Sequence, residues 1–503
     1  MDADFDDLKA RLAEHDDLRM AAAVLRWDQQ TYMPVGGNAA RGRQLATLDR
    51  LAHDRLTDPA LLRVLDRVTP AAEREGEGSF AARLVKIARR DVERATKVPS
   101  AFVSAMANHR AELYDRWTRA RPANDFAAVA GLLARTVEMS REYAGFFAPY
   151  EHVADPLIDL MDPDVRTSSL RALFAELRAA LVPLVDAITR AAPVDDRCLR
   201  QTFPEPQQLA FGMEIAKRFG YDLARGRQDM THHPFMTKFS IGDVRITTRS
   251  RPDDLSMALF STLHEAGHAL YEQNFDPALE ATPLAEGTSA GLHESQSRLW
   301  ENQVGRSLAF WKGQYPRLQA AFPSQLGGVP LETFYRAINK VERGPIRTEA
   351  DEVTYGLHII MRFDFEVDLL EGRLAVADLP EAWNARSKSD LGVTPPNDAD
   401  GCLQDVHWFD SFVGGAFQSY AIGNLMSAQF FDAALRAHPE IPAEIEAGRF
   451  DTLRGWLATN IHVHGRARSA DEIVLSATGR PLETAPYLTY LRDKYGALYG
   501  LTT

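Results

Sequence analysis

His264-Glu265-Ala266-Gly267-His268 forms the pattern H-E-x-x-H. On a helix, two histidines four apart point the same way, so both imidazoles can reach one metal ion. The glutamate between them projects beside that ion, where it can hold and deprotonate an attacking water. This is the minimum apparatus of a zinc hydrolase acting on an amide bond, with Glu265 as the general base. An accidental match should occur in roughly one chain of this length in several tens, so the context matters. Pro252, Asp253 and Asp254 read as a helix start, with acids at the positive end of the helix dipole. Leu255, Leu259, Phe260, Leu263, Ala266, Leu270 and Tyr271 keep a helical apolar period. The spacing predicts an amphipathic helix with one buried face. A buried helix with two satisfied core histidines would use the same residues without any chemistry.

A catalytic zinc site needs a third protein ligand and leaves its fourth position to water. Glu280, Glu286, Glu294 and Glu301 are the downstream candidates. The segment from Leu292 to Asn302 reads as a second helix, after a loop around Pro283 and Gly287. A carboxylate from a helix facing the first would complete a His2Glu set. Residue chemistry alone does not choose among the four acids.

Further motifs lie along the chain. They are Asp243-Val244-Arg245-Ile246-Thr247, His293-Glu294-Ser295-Gln296, Ile346-Arg347-Thr348-Glu349-Ala350-Asp351, and Gly401-Cys402-Leu403-Gln404-Asp405-Val406-His407-Trp408. With the H-E-x-x-H pattern, and in this order, they resemble the carboxypeptidase Taq family of zinc metallocarboxypeptidases. An upstream stretch from Trp27 to Pro34 resembles that family's N-terminal region.

The resemblance implies a metal set of His264, His268 and Glu294. Zinc is the expected ion, and a His2Glu site also accepts cobalt or manganese. Removal of single C-terminal residues from peptides, with broad specificity, is the implied activity. An exopeptidase must also hold the free C-terminal carboxylate, and the planar fork of arginine suits that task. Arg347 is the first candidate, because the family places its motif at the carboxylate end of a groove. Arg245 is the second, because its motif is implied to lie near the closed end. Val244, Ile246 and Thr248 alternate with Arg245, Thr247 and Arg249, a strand pattern. His407 is implied to lie in the cleft, where it could donate to the oxyanion or to the substrate backbone. A core histidine bonded to Asp405 would be the bland alternative. His293 and His358 have weaker claims, and His232-His233 reads as a loop without a ligand role.

One segment departs from the family. Many members carry G-Y-F-P-[ST]-Y after the H-W motif. Here the residues are Gly415-Ala416-Phe417-Gln418-Ser419-Tyr420. If the first tyrosine supplies an oxyanion donor, this chain lacks it. Tyr420, or another tyrosine such as Tyr355, would then replace it.

The bulk properties fit an intracellular enzyme. The chain has 503 residues and a net charge of −13, with 70 acidic against 57 basic side chains. No basic block or aromatic-basic stripe suggests a nucleic-acid partner. The acidic N-terminus lacks the apolar core of a secretory signal. No run approaches the roughly 18 apolar residues of a membrane span. With only Cys198 and Cys402, no disulfide framework is expected. A cytoplasmic location follows as the expectation. His462 and His464 lack nearby ligands for a second metal site.

Helical periodicity covers about residues 3 to 25, 101 to 117, 126 to 147, 168 to 190, 204 to 219, 331 to 341, 354 to 370, 420 to 437 and 449 to 461. Pro183 is expected to kink or end its segment. The only extended strand signal is Phe239 to Thr248. The expected fold is mainly α, with a small β-sheet near the zinc helix. The resemblance implies a single catalytic unit over 1–503, folded into two lobes around a deep central groove, and a homodimer.

Overall fold

A computed structural model describes residues 2–501. Helices and one small three-stranded sheet build it, as the periodicity predicts. The chain divides into two compact units whose segments interleave along the sequence.

The first unit comprises Met1–Thr96, Asp196–Ile338 and Phe430–Pro481. Its first helix, α1 (Asp2–Thr31), runs beyond the predicted end near residue 25. The extra turn exists because Trp27 is buried there, edge-on to Phe239. Helix α2 (Glu205–Phe219) ends on Gly220, whose φ of +109° suits glycine. Three strands follow: β1 (Gln228–Met230), β2 (Met236–Ser240) and β3 (Asp243–Thr248). Their order is β1-β3-β2, with β1 parallel and β2 antiparallel to the central β3. The predicted strand region is therefore a hairpin. Its third partner β1 escaped detection because three residues carry no readable alternation.

Val244 and Ile246 of β3 are fully buried. They pack with Ala216 and Tyr221 and with Ala266 and Ala269 of the next helix, α3 (Leu255–Gln273). The Asp254 side chain caps α3 by accepting from the Ser256 N–H at 2.9 Å. The prediction of one buried face is too small. Leu255, Ala258, Leu259, Leu263, Ala266, Ala269 and Leu270 are all buried, as are Glu265 and Gly267. The sheet covers α3 on one side, α2 on another, and α4 (Ala290–Arg298) on a third. Ser289 caps α4 by accepting from the Leu292 N–H at 3.0 Å. A π-helical turn, Leu299–Val304, continues from its end.

Gly267 decides how closely α3 and α4 approach. A Cβ there would stand 2.6 Å from the Gln296 carbonyl oxygen and 2.7 Å from the Ser297 Cα. Both are backbone atoms, so no side-chain rotation relieves the clash.

The second unit comprises Lys97–Asp195, Asn339–Gln429 and Leu482–Thr503. No strand occurs among its described residues. Thr167–Arg190 is one helix that continues through Pro183, so of the two expected outcomes the ending does not occur. Leu177, Leu181, Val185 and Ile188 form a buried row on it. Their packing outweighs the single backbone hydrogen bond that proline removes. Helix α5 (Tyr355–Glu371) is buried along nearly its whole length. The remaining elements needed below are α6 (Gln418–Ala437) and α7 (Ala485–Tyr499).

The close contact at Gly267 generates a prediction. Gly267→Ala is expected to destabilise the protein by about 1–3 kcal/mol through overpacking. Because α4 must retreat, metal stoichiometry should fall as well. A thermal melt together with metal analysis checks both, and an unchanged pair of values would remove Gly267 as the spacer.

Candidate metal centre and substrate-binding residues

His264 and His268 lie one turn apart on α3, with ring centroids 4.9 Å apart. Glu294 stands opposite them on α4. Its Oε2 lies 3.6 Å from His264 Nε2 and 3.5 Å from His268 Nε2. The three ligand atoms lie within 4.8 Å of one another. Two ligands of a tetrahedral zinc, each bound at about 2.0–2.1 Å, stand roughly 3.4 Å apart. The donor set therefore fits such an ion.

The other ring nitrogens agree with this. His264 Nδ1 lies 2.9 Å from Glu301 Oε2, and His268 Nδ1 lies 3.0 Å from the His293 carbonyl. A carboxylate and a carbonyl only accept, so each Nδ1 carries the proton and donates it. Each Nε2 then keeps a bare lone pair facing Glu294. Metal-binding histidines are commonly oriented in this way from behind.

The site is dense in carboxylate. Burial works to lower the His264 pKa, but Glu294, Glu301 and Glu265 outweigh it and leave it raised. A field that holds a proton there would equally hold a metal cation. Burial lowers His268 to about 3, so its ring stays neutral. Glu294 is pushed up by burial, but Arg298 and the two histidines hold it well below the usual carboxylate range. Arg298 Nε donates to Glu294 Oε1 at 2.7 Å, and its Nη1 donates to Glu301 Oε2 at 3.4 Å. Glu265 is buried, and burial pushes it up to about 7.

The three other candidate acids have different tasks. Glu280 accepts from the Ile241 N–H at 2.9 Å and fastens the β2–β3 turn. Glu286 pairs with Arg19 at 2.5 Å and Arg466 at 3.2 Å. Glu301 stands behind His264. Sequence reasoning missed the partners behind His268. The His293 ring stacks on the His268 ring at 4.3 Å, and its Nε2 lies 3.1 Å from Glu272 Oε1. Lys238 Nζ reaches the other oxygen of Glu272 at 2.7 Å. His462 meets Gln296 Oε1 at 2.9 Å, so it supports α4 from behind.

Arg245 lies on β3 in the same unit. Its Nε and Nη2 donate to the two oxygens of Asp243, each at 2.8 Å. Its plane stacks over Trp27 at 4.4 Å and Phe239 at 4.8 Å. The Nε and Nη2 edge of its fork is thus committed to Asp243.

Arg347, His407 and Tyr420 are gathered in the second unit. Arg347 Nε and Nη2 donate to Asp405 Oδ1 at 2.9 and 2.6 Å, and Nη1 reaches the Tyr355 hydroxyl at 3.3 Å. Arg362 Nε donates to the other oxygen, Asp405 Oδ2, at 2.5 Å. Burial works to raise Asp405, but the two guanidiniums hold it far below the usual range. His407 Nδ1 is 3.9 Å from Asp405, while its Nε2 lies 3.3 Å from the Tyr420 hydroxyl. The predicted alternative of an Asp405-bonded core histidine therefore gives way to a His407–Tyr420 pair. His358 is fully buried beside Arg362.

The chain is similar to known proteins along nearly its whole length. A profile of the carboxypeptidase Taq (M32) metallopeptidase family matches residues 7–495. Thermostable carboxypeptidase 1 of Thermus thermophilus is 40% identical, covering 96% of each chain. Carboxypeptidase 1 of Bacillus subtilis is 36% identical over 99% of this chain and 98% of its own. The crystal structure of an M32 carboxypeptidase from Deinococcus radiodurans is 46% identical, with a TM-score of 0.96 over 99% of this chain and 100% of that one. The chain belongs to the carboxypeptidase Taq (M32) family, and it is a metallocarboxypeptidase, a hydrolase acting on peptides.

Proposed function

We propose that this enzyme removes single residues from the C-terminus of peptides, with broad specificity, at a zinc site formed by His264, His268 and Glu294. The observation that carries the reading is the triad of ligand atoms, with each histidine Nδ1 committed to an acceptor behind it. Zinc held there would polarise the scissile carbonyl and acidify the attacking water, and cobalt or manganese could serve in its place.

The protein residues do the rest. A Glu265 carboxylate oxygen takes a proton from the attacking water and passes it to the departing amine nitrogen. Its burial removes competing solvent from that transfer. Tyr420 donates to the developing oxyanion, and His407 Nε2 donates to the Tyr420 hydroxyl and orients it for that task. Arg347 receives the C-terminal carboxylate. Its pairing with Asp405 fixes the fork in advance, and the Tyr355 contact on Nη1 is the exchangeable one. Arg245, already bound to Asp243, shapes the substrate site chiefly through its position on β3. The whole chain acts as one catalytic unit, as a homodimer in the cytoplasm, with peptides as partners and neither nucleic acid nor membrane. No helix among the described residues is long and apolar enough to cross a membrane.

Digestion of a mixed peptide followed by mass spectrometry tests the activity. A ladder shortened one residue at a time from the C-terminus, abolished by a chelator, is expected. Internal cuts or losses of residue pairs would move the reading to an oligopeptidase. Glu265→Gln should keep its metal and lose activity by a factor of about 100 or more, and retained turnover would remove Glu265 as the base. Glu294→Ala should lower zinc occupancy, and unchanged metal content would return the third-ligand role to Glu286 or Glu301. Arg347→Ala should raise KM for free-acid peptides and reduce their advantage over C-terminal amides. Equal responses to both peptide classes in parent and variant would exclude Arg347 as the clamp.

A further inference from the structure

Helix α7 grips the segment that carries Arg347. The Val341 N–H donates to the Tyr499 hydroxyl at 2.7 Å. At the other end, Glu352 Oε2 accepts from Lys494 Nζ at 2.7 Å and from the Tyr495 hydroxyl at 2.8 Å. The Glu352 carbonyl accepts from the Tyr487 hydroxyl at 3.1 Å. Positions 487, 494, 495 and 499 fall within one face of a helix. The Lys494 and Glu352 side chains are only 7% and 3% exposed, so this ion pair is buried and little screened.

Between these two grips the segment is closed on itself. The Glu342 N–H donates to Asp351 Oδ2 at 3.1 Å, and Asp351 also caps α5 through Val353 and Thr354. The middle is held by Gln404. Its Oε1 accepts from the Arg347 N–H at 2.8 Å, and its Nε2 donates to the Pro345 carbonyl at 2.9 Å. Arg347 therefore sits at the centre of a loop whose two ends are both fastened to α7.

We infer that α7 is a positioning element for the substrate clamp, acting through Glu352, Lys494, Tyr495 and Tyr499 on the loop that presents Arg347. This rests on the reading of Arg347 as the group that receives the peptide carboxylate. A guanidinium that must meet a carboxylate bidentately tolerates little displacement. Slack in the loop ends weakens substrate binding first, because the metal ligands and Glu265 lie on other elements.

The test compares Lys494→Met and the milder Tyr495→Phe/Tyr499→Phe pair with the parent and Arg347→Ala, on one peptide as free acid and as amide. The double variant removes two hydroxyls and keeps the buried ion pair, so it folds even if Lys494→Met does not. For the double variant, KM for the free acid should rise about 3- to 10-fold with kcat within about twofold. The preference for free acid over amide should fall by the same factor, with metal content unchanged. A lowered melting temperature with unaltered KM and preference would reduce α7 to a structural helix and overturn the inference. If Arg347→Ala itself leaves the preference intact, the clamp reading fails instead, and the two failures are told apart within one experiment.

Discussion

The contact between the backbones of α3 and α4 at Gly267 is the constraint on which the metal centre depends. Protein interiors are packed to crystal density, so helix axes normally stand apart by the width of their side chains. Here one missing Cβ lets the Gln296–Ser297 backbone approach to a distance that no other residue permits. Glu294 lies just before that contact, and it faces His264 and His268 because α4 is drawn in there. The same approach sets the His293 carbonyl against His268 Nδ1. The five residues of the H-E-x-x-H pattern thus carry two kinds of information. On the proposed function three of its side chains do chemistry, and the absence of a fourth sets how closely Glu294 approaches them.

The two units carry their local charge imbalance with opposite signs. Around the histidines, Glu265 and Glu294 are buried and Glu301 is half-buried, and Arg298 bridges Glu294 and Glu301. Burying such groups without partners would cost several kcal/mol each. Their mutual repulsion is relieved by a cation, which is the purpose of the site on the reading proposed above. Around Arg347 the imbalance reverses. Two guanidiniums, Arg347 and Arg362, share the single carboxylate of Asp405. On the proposed function one centre receives a positive ion and the other a negative group, each where the surrounding charged side chains leave an excess of the opposite sign.

Much of this was readable in the sequence, and the reasons for the rest are physical. The metal helix and its cap at Asp254 follow from period and capping chemistry, which are local. The choice of Glu294 among four acids is not local, because it depends on which carboxylate a second helix turns toward the first. The motif resemblance supplied that choice, and the distances agree with it. The breadth of the buried surface of α3, which leaves the face of Met257, Ser261, His264 and His268 half-buried, is not readable in the sequence, because Ala258, Gly267 and Ala269 read as neutral until the sheet and α4 close over them. The Lys238–Glu272–His293 chain was invisible for the same reason, since it joins residues from β2, α3 and α4. Pro183 misled because a local penalty of one hydrogen bond was weighed without the buried row it sits in.

The departure at Ala416 and Gln418 shows how a loop can lose family residues and keep its order. Gly414 and Gly415 hold φ of +107° and +85°, and a Cβ on Gly415 would stand 2.1 Å from the Leu157 carbonyl oxygen. The glycines, not a proline, therefore fix the backbone path. Gln418 then uses its amide where proline could not. Its Nε2 donates to Asp162 at 3.0 Å and to the Gly415 carbonyl at 2.8 Å, while Ser419 Oγ donates to the same Asp162 oxygen at 2.6 Å. These bonds anchor the first turn of α6 and so the place of Tyr420, beside His407. The direction of that last bond matters for chemistry. With the imidazole proton on Nε2, His407 donates to the phenol and leaves the phenol's own proton for an oxyanion. With the proton on Nδ1, directed toward Asp405, Tyr420 would donate to His407 instead and have nothing left to give. A working Tyr420 donor therefore requires the Nε2 tautomer, and the 3.9 Å separation of Nδ1 from Asp405, too long for a hydrogen bond, leaves that tautomer without competition from the carboxylate.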